Sequence, residues 1–134
     1  MATVDEMKTY RGSCHCGQVQ FEIRTHLNRV SECNCSICRR KGYLHHMVSP
    51  DRFRLLQGED SLVTYQFGTG RAHHHFCRVC GVAPFFRPRA NPANYMINAR
   101  CLEGVDLDSL ERVRFDGQSW ESRPRAPYKA IWNL

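Results

Sequence analysis

The sequence predicts an all-β domain, and three observations favour this fold class. Short stretches of β-branched and aromatic residues recur along the chain and alternate with polar residues, as in half-buried strands. The 9 glycines and 6 prolines among 134 residues interrupt the chain at short intervals. No long segment carries the period of an amphipathic helix. We therefore expect short strands joined by turns, with cysteine clusters at several turns.

The strands can be placed in chain order from this pattern. Residues 19–23 alternate clearly, and the later strand candidates are residues 43–48, 53–56, 62–67, 72–76, 82–86 and 95–99. Gly68-Thr69-Gly70 predicts a hairpin turn before the strand at 72–76. Residues 107–110 predict one helical turn. Residues 113–115 and 118–120 predict a last hairpin, followed by an irregular tail.

The length favours a single domain, and the first residues favour a reducing compartment. The sequence has no apolar run of membrane-spanning length, and its first ten residues lack the apolar core of a signal peptide. We therefore expect a cytoplasmic protein with no membrane partner. In such a compartment, clustered cysteines indicate metal ligands more often than disulfides.

Seven of the eight cysteines fall into three clusters. Cys77 and Cys80 have the spacing of a zinc knuckle, and Gly81 can adopt the positive φ that such a turn needs. Cys14 and Cys16 are two residues apart and need a partner pair to complete a site. Together these four predict a structural zinc site with four thiolates, which we call the four-cysteine cluster.

Cys33, Cys35 and Cys38 form the third group, which we call the three-cysteine cluster. Three thiolates would leave zinc with one exchangeable position, where a water or a substrate thiol can bind. The sequence therefore predicts two zinc ions, one structural and one catalytic. The alternative is a second closed site, with Cys101 or a histidine as its fourth ligand.

The histidines and basic residues offer weaker signals. In the run of three from His73 to His75, alternation places His74 on the face opposite its neighbours. One of His45 and His46 is expected to face inward, and we assign His46 to a substrate contact. The formal net charge is +6, but part of this excess balances thiolates, so the charge gives little support to nucleic-acid binding.

The cysteine motifs resemble those of a known family. The glutathione-dependent formaldehyde-activating enzymes have motifs similar to Cys14-His15-Cys16-Gly17, to the three-cysteine cluster with Ser36 inside it, and to Phe76-Cys77-Arg78-Val79-Cys80-Gly81. Asn91-Pro92 and the stretch at 115–121 resemble the centromere protein V-like branch. The resemblance covers residues 12–121, which we take as the domain, with an extension at 1–11 and a tail at 122–134.

The resemblance implies a Mss4-like fold of coiled antiparallel sheets. It also implies that the four-cysteine cluster binds structural zinc and that the three-cysteine cluster binds catalytic zinc. The implied reaction is a carbon–sulfur lyase reaction, the condensation of glutathione, as cosubstrate, with formaldehyde to S-(hydroxymethyl)glutathione. A zinc-bound glutathione would be held as its thiolate.

Basic residues near the three-cysteine cluster would then bind the carboxylates of glutathione, and the candidates are Arg39, Arg40 and Lys41. Two other functions stay open at this point. One is a glutathione carrier or non-catalytic zinc module that binds a protein or nucleic acid, and the other is a thiol redox protein. Exposed strand edges would permit a homodimer.

Overall fold

Strands dominate the part of the chain that the structure, a computed structural model, describes, namely residues 7–89 and 91–122. Ten strands are present there. They are β1 Lys8–Ser13, β2 Gln20–Thr25, β3 Arg29–Cys33, β4 His45–Val48, β5 Phe53–Gln57, β6 Leu62–Tyr65, β7 His73–Cys77, β8 Phe85–Arg87, β9 Tyr95–Asn98 and β10 Glu111–Phe115. The helices are α1 Ser36–Lys41 and α2 Gly117–Ser122, with 3-10 turns at Pro50–Arg52, Glu59–Ser61, Ala99–Cys101 and Leu107–Ser109. The prediction of an all-β, Mss4-like fold is confirmed.

The strands form two sheets. The smaller sheet has the order β1-β2-β5, and the larger has the order β10-β3-β4-β9-β8-β7-β6. All pairs are antiparallel except β10 and β3, which run parallel from Glu111 beside Arg29 to Phe115 beside Cys33. This one parallel pair brings two segments that are far apart in sequence to the same place.

The main core lies between the two sheets. Phe21 and Phe53 of the small sheet pack against Phe85 and Tyr95 of the large one, and the Phe53 and Tyr95 rings stack with their centroids 4.0 Å apart. Phe21 and Phe85 are almost fully buried. Burying aromatic side chains of this size is a dominant source of folding free energy.

A second apolar cluster covers the opposite face of the large sheet. Because side chains alternate along a strand, Ile97 belongs to the core between the sheets, whereas its neighbour Met96 belongs to the second cluster. The same alternation separates Phe85 from Phe86 in β8. The three-cysteine cluster lies on this second face, and Cys14 and Cys77 lie in the core between the sheets.

Most predicted elements are confirmed. Each of the strands expected between residues 19 and 99 overlaps an observed strand, and the Gly68-Thr69-Gly70 segment joins the antiparallel pair β6 and β7. The helical turn expected at 107–110 is the 3-10 turn Leu107–Ser109, which Asp106 caps by accepting a hydrogen bond from the Asp108 amide. Short side chains with an oxygen acceptor favour such starts.

The predicted last hairpin is wrong. Residues 118–120 lie in helix α2, and β10 pairs with β3 instead. The helix starts there because Asp116 accepts hydrogen bonds from the Ser119 amide and hydroxyl, which satisfies a free N–H of the first turn. The predicted tail from residue 123 lies outside the described residues.

Two strands and one helix were not predicted. Strand β1 starts at Lys8, inside the segment expected as an extension, and β3 is largely polar. Helix α1 has only six residues, which is too short to show a helical period. In the described ranges, no helix is long and apolar enough to cross a lipid bilayer.

Candidate active site

The four-cysteine cluster joins the two sheets. Cys14 and Cys16 follow β1 of the small sheet, and Cys77 and Cys80 lie at the end of β7 and just beyond it in the large sheet. The sulfur of Cys16 is 3.6 Å from that of Cys14 and 3.7 Å from that of Cys77. Four sulfurs at zinc's usual bond length would be about 3.8 Å apart in a tetrahedron, so this spacing suits zinc.

Backbone amides support these sulfurs. The Val19 amide donates to the Cys14 sulfur at 3.3 Å, and the Val79 amide donates to the Cys77 sulfur at 3.4 Å. Hydrogen bonds to a charged sulfur stabilise its thiolate form. The local turns therefore direct an amide N–H at one sulfur of each cysteine pair.

The three-cysteine cluster lies where β3 ends and α1 starts. Its three sulfurs all lie within 4.8 Å of one another. Cys35 is the N-cap of α1, and its sulfur accepts a hydrogen bond from the Cys38 amide at 3.4 Å. Hydrogen bonds from the Cys33 and Cys38 thiols hold the pKa of Cys35 far below that of a free thiol. The arrangement therefore favours a thiolate at Cys35.

This cluster has no fourth protein ligand among residues 7–89 and 91–119, whose side chains the structure describes. No other cysteine, histidine or carboxylate in these ranges joins the group of three sulfurs. Cys101, the fourth ligand in the alternative of a closed site, instead packs against the core between the sheets. Burial raises the pKa of Cys101 to about 12, and the charges of Cys14 and Cys80 add to this. The charged groups that influence Cys101 are therefore cysteines of the four-cysteine cluster, not of the three-cysteine cluster.

The loop from β10 to α2 closes over one side of the three-cysteine cluster. The Asn34 side chain donates to the Asp116 carboxylate at 3.1 Å and accepts from the Gln118 amide at 2.9 Å. A Cβ atom at Gly117 would lie 2.3 Å from the Cys33 sulfur and 2.9 Å from the Cβ of Cys35. Only a residue without a side chain fits at this distance.

A cavity of about 110 Å³ lies beside the three-cysteine cluster. Its lining combines the three sulfur-bearing residues with aromatic walls and a few polar groups. The lining also includes His45, Phe67, His74, Phe86, Arg89 and Phe115. Such a mostly apolar cavity with a few polar groups is typical of small-molecule sites.

The assignment of His46 to this cavity is corrected by the structure. Its imidazole lies on the sheet face opposite the cavity, with Nε2 2.8 Å from the Thr25 hydroxyl and Nδ1 3.0 Å from the Arg29 carbonyl oxygen. His45, one residue earlier, lines the cavity. The one-residue difference decides the face because side chains alternate along β4.

The predicted cations separate into two grooves. Arg39 shares a groove with Cys33 and Cys38, to which Arg100 and Arg114 also contribute. Arg40 and Lys41 line a different groove beside Phe76. The Lys41 ammonium lies 5.3 Å from the centroid of the Phe76 ring. Partial burial lowers the pKa of Lys41.

Sequence reasoning missed three residues of the cavity, namely His45, His74 and Arg89. The alternation along β7 could have identified His74, because it predicts that His74 faces away from His73 and His75. Nothing in the sequence indicates which face of β7 carries the cavity. Arg89 follows strand β8, in a loop without a motif.

Comparisons with known proteins identify a matching family and several similar proteins. A family model described as glutathione-dependent formaldehyde-activating enzyme matches residues 9–122. A Halomonas elongata protein, described as a candidate enzyme of that kind, is 33% identical over 88 residues, which cover 58% of this chain and 56% of that protein.

Two further relatives are more completely covered. An uncharacterised lyase of Schizosaccharomyces pombe is 25% identical over 112 residues, which cover 84% of this chain and 78% of that protein. A crystal structure of a Rhodobacter sphaeroides protein superimposes with a TM-score of 0.69 at 35% identity, covering 77% of this chain and 99% of that one.

Proposed function

We propose, because the chain belongs to the glutathione-dependent formaldehyde-activating enzyme family, that it is a carbon–sulfur lyase. Its substrates would be glutathione and formaldehyde, and its product would be S-(hydroxymethyl)glutathione. The relatives named as a formaldehyde-activating enzyme and as a lyase support this class of reaction.

One observation carries the proposal. The three-cysteine cluster gathers three sulfurs without a fourth ligand from the described chain, and it borders a cavity. The four-cysteine cluster, by contrast, already has the full ligand set of a structural zinc site. The difference between the two clusters supports one site for folding and one for chemistry.

The residues of the three-cysteine cluster fit a zinc ion, since three soft thiolates are suitable ligands. A zinc ion bound there would stabilise a fourth sulfur in its thiolate form. Cys33, Cys35 and Cys38 would hold the ion, and the Cys38 amide would keep the Cys35 sulfur in position. Gly117, the first residue of α2, lies close to the Cys33 sulfur on one side of this site.

The reaction is an addition. The glutathione thiolate attacks the carbon of formaldehyde, a carbon–sulfur bond forms, and the electrons of the C=O π bond move to oxygen. This oxygen takes one proton from solvent, which balances the proton that the thiol released. The reverse sequence cleaves the adduct, so one site serves both directions.

Glutathione also carries two carboxylates, which need cationic partners outside the small cavity. We propose the groove formed by Arg39, Arg100 and Arg114 for one of them, since this groove also contains Cys33 and Cys38. Arg89, at the cavity, is the candidate for the other. Guanidinium groups suit carboxylates because both can form two parallel hydrogen bonds.

The experiment measures exchange rather than product, because the adduct also forms without a catalyst. Exchange spectroscopy with ¹³C-formaldehyde and glutathione should show faster exchange between free and bound formaldehyde when the protein is added. Metal analysis should give two zinc ions per chain. The Cys35→Ala variant should retain one zinc and lose the acceleration.

Two outcomes would contradict the proposal. One is a wild-type protein with both zinc ions bound that leaves the exchange rate unchanged. The other is tight binding of duplex DNA at physiological salt with no binding of glutathione, which would favour a nucleic-acid-binding zinc module.

A further inference from the structure

Two histidines beside the three-cysteine cluster carry buried ring nitrogens that have no hydrogen-bond partner among the residues that the structure describes. These atoms are Nε2 of His45 and Nδ1 of His74, and both residues are more than nine-tenths buried, with exposures of 2% and 3%. A buried polar atom without a hydrogen bond costs folding free energy. Such atoms are rare in folded proteins and indicate that another partner completes them.

Both imidazoles line the same cavity. Both rings contact Phe86, with ring centroids 5.1 Å (His45) and 5.0 Å (His74) from that of Phe86. The third unpartnered buried atom in the described residues, the Tyr43 hydroxyl, belongs to a residue that lines the neighbouring groove instead. The two histidines are therefore a pair that shares one cavity.

Packing prevents either ring from turning toward solvent. The His74 ring stacks on Phe67 and Phe86, and the His45 ring contacts Tyr43 and Phe86. The two strands are also fixed in register through β8 and β9, since His74 is paired with Phe86 and His45 with Asn98. The nitrogens are therefore held in place before any ligand binds.

A pair of neutral imidazoles suits one kind of ligand atom. Each neutral ring has one N–H donor and one acceptor nitrogen. A carbonyl oxygen accepts hydrogen bonds, and a hydroxyl both donates and accepts. An oxygen that changes from carbonyl to hydroxyl can therefore keep hydrogen bonds to the pair in both states.

We propose that His45 and His74 bind the oxygen of the aldehyde and, after addition, the hydroxyl of the hydroxymethyl group. This inference rests on the proposed function and assigns the part of the site that holds the aldehyde. The cysteine sulfurs would lie on the thiol side of the cavity and the imidazoles on the oxygen side. The pair acts by hydrogen bonding, and the proton balance with solvent is unchanged.

The cavity also limits the aldehyde. Its volume is about 110 Å³, and one water molecule needs about 10–15 Å³ of such volume. The thiol end of glutathione and a one-carbon aldehyde fit together in this space, whereas the tripeptide backbone must lie outside. The size of the cavity therefore favours short aldehydes.

The test uses phenylalanine, which keeps the aromatic packing but removes the ring nitrogens. His74→Phe and His45→Phe in the zinc-loaded protein should slow ¹³C-formaldehyde exchange at least tenfold and leave glutathione binding unchanged. Thermal stability should stay the same or rise, because each change removes an unsatisfied buried nitrogen. A purely structural role predicts the opposite, a loss of stability.

His46→Gln is the matched control. His46 is also buried in β4, but its nitrogens have partners on the other face of the sheet. This variant should lose stability and keep the exchange rate per folded molecule. Wild-type exchange rates in both phenylalanine variants, or a lower melting temperature together with a slower rate, would overturn the inference.

A direct measurement covers the case in which a variant fails to fold. The imidazole ¹⁵N chemical shifts of the wild-type protein should change at His45 and His74, but not at His46, when formaldehyde is added to the glutathione-loaded protein. Unchanged ¹⁵N chemical shifts at both residues would overturn the proposal that His45 and His74 bind the aldehyde. If the wild-type protein does not accelerate exchange, the proposed function fails, and these shifts still decide whether the pair binds the aldehyde.

Discussion

Cys35 caps a helix and belongs to the three-cysteine cluster through the same side chain. Its sulfur caps α1 by accepting from the Cys38 amide, and the same sulfur belongs to the three-cysteine cluster. The neighbouring thiols of Cys33 and Cys38 lower its pKa by hydrogen bonding. Substitutions can separate the two roles, because serine is a good N-cap but a poor ligand for a soft metal site.

We expect Cys35→Ser to bind one zinc per chain, to lose accelerated exchange and to remain folded. Cys35→Ala should show the same metal loss and an additional destabilisation of about 1 kcal/mol, since alanine cannot cap the helix. Metal analysis and urea unfolding of both variants provide the measurements. Equal stability of the two would show that the cap contributes nothing.

His46 provides a prediction for the dependence of stability on pH. Burial lowers the pKa of His46 to about 4, against an ordinary value of 6.5. Between these values the unfolded chain binds a proton that the folded protein does not, so His46 makes the folded state lose stability as pH falls from 6.5 to 4. The His46→Gln variant should therefore show a shallower slope, by at most about 1.4 kcal/mol per pH unit.

Denaturant unfolding at several pH values between 4.5 and 7 measures both slopes. The comparison is between two proteins because acid also weakens metal binding by protonating sulfur, and this effect is common to both. Identical slopes would mean that His46 is already protonated in the folded protein, or that its imidazole exchanges with solvent.

The residues of the site could be predicted from the sequence only where spacing alone decides. The two-residue and three-residue separations of the cysteines indicate shared sites whatever the fold, and the structure brings the sulfurs together as expected. The choice between His45 and His46 depends on which face of β4 carries the cavity. The packing of the two sheets determines that face, and the local sequence pattern of β4 does not predict it.

At the level of elements, the loop between β10 and α2 is the part most tightly fitted to the site. The parallel pairing of β10 with β3 brings Phe115 beside Cys33, and the Asn34 side chain then fixes the next turn. Gly117 is buried against the Cys33 sulfur. The loop therefore limits how far the three sulfurs can move apart.

We expect Gly117→Ala to weaken metal binding at the three-cysteine cluster while leaving the four-cysteine cluster intact. The added methyl group would lie 2.3 Å from the Cys33 sulfur, so either the sulfur or the loop must move. Competition with a chromogenic chelator should release one zinc from this variant faster than from the wild-type protein. Gln118→Ala is the control, because the Gln118 side chain is exposed and only its backbone amide contacts Asn34.

The elements missed by sequence reasoning are stabilised by contacts that a local apolar pattern does not show. Strand β3 is largely polar, so its sequence shows little alternation of apolar residues. Cross-strand contacts such as the 2.8 Å ion pair of Arg29 with Glu111 stabilise it instead. Helix α1 is held by a sulfur cap and by Gly42 at φ 68°, and a helix of this length is unstable alone. Gly42 after three basic residues was the one available signal for its end.

At the scale of the whole molecule, the four-cysteine cluster brings together cysteines from both sheets. It links the end of β1 to the end of β7, across the core that contains Phe21 and Phe85. Structural zinc sites contribute on the order of 10–16 kcal/mol of apparent binding free energy in small domains. This exceeds the total stability of many domains.

We expect Cys80→Ala to unfold the domain or to leave it without cooperative unfolding, in contrast to Cys35→Ser. Circular dichroism during thermal unfolding and amide exchange of β1 and β7 measure the difference. A Cys80→Ala protein with the melting temperature of the wild type would show that the apolar core alone holds the sheets together.

The strand order of the large sheet has a consequence for biosynthesis. Strand β9 lies between β4 and β8, so a nascent chain that has not yet reached Tyr95 contains this sheet only as separate β3-β4 and β6-β7-β8 pieces. Strand β10 then covers the exposed edge of β3 last. The nascent chain therefore exposes Cys33, Cys35 and Cys38 before the strands that surround them have been synthesised, and unpaired strand edges at that stage favour aggregation.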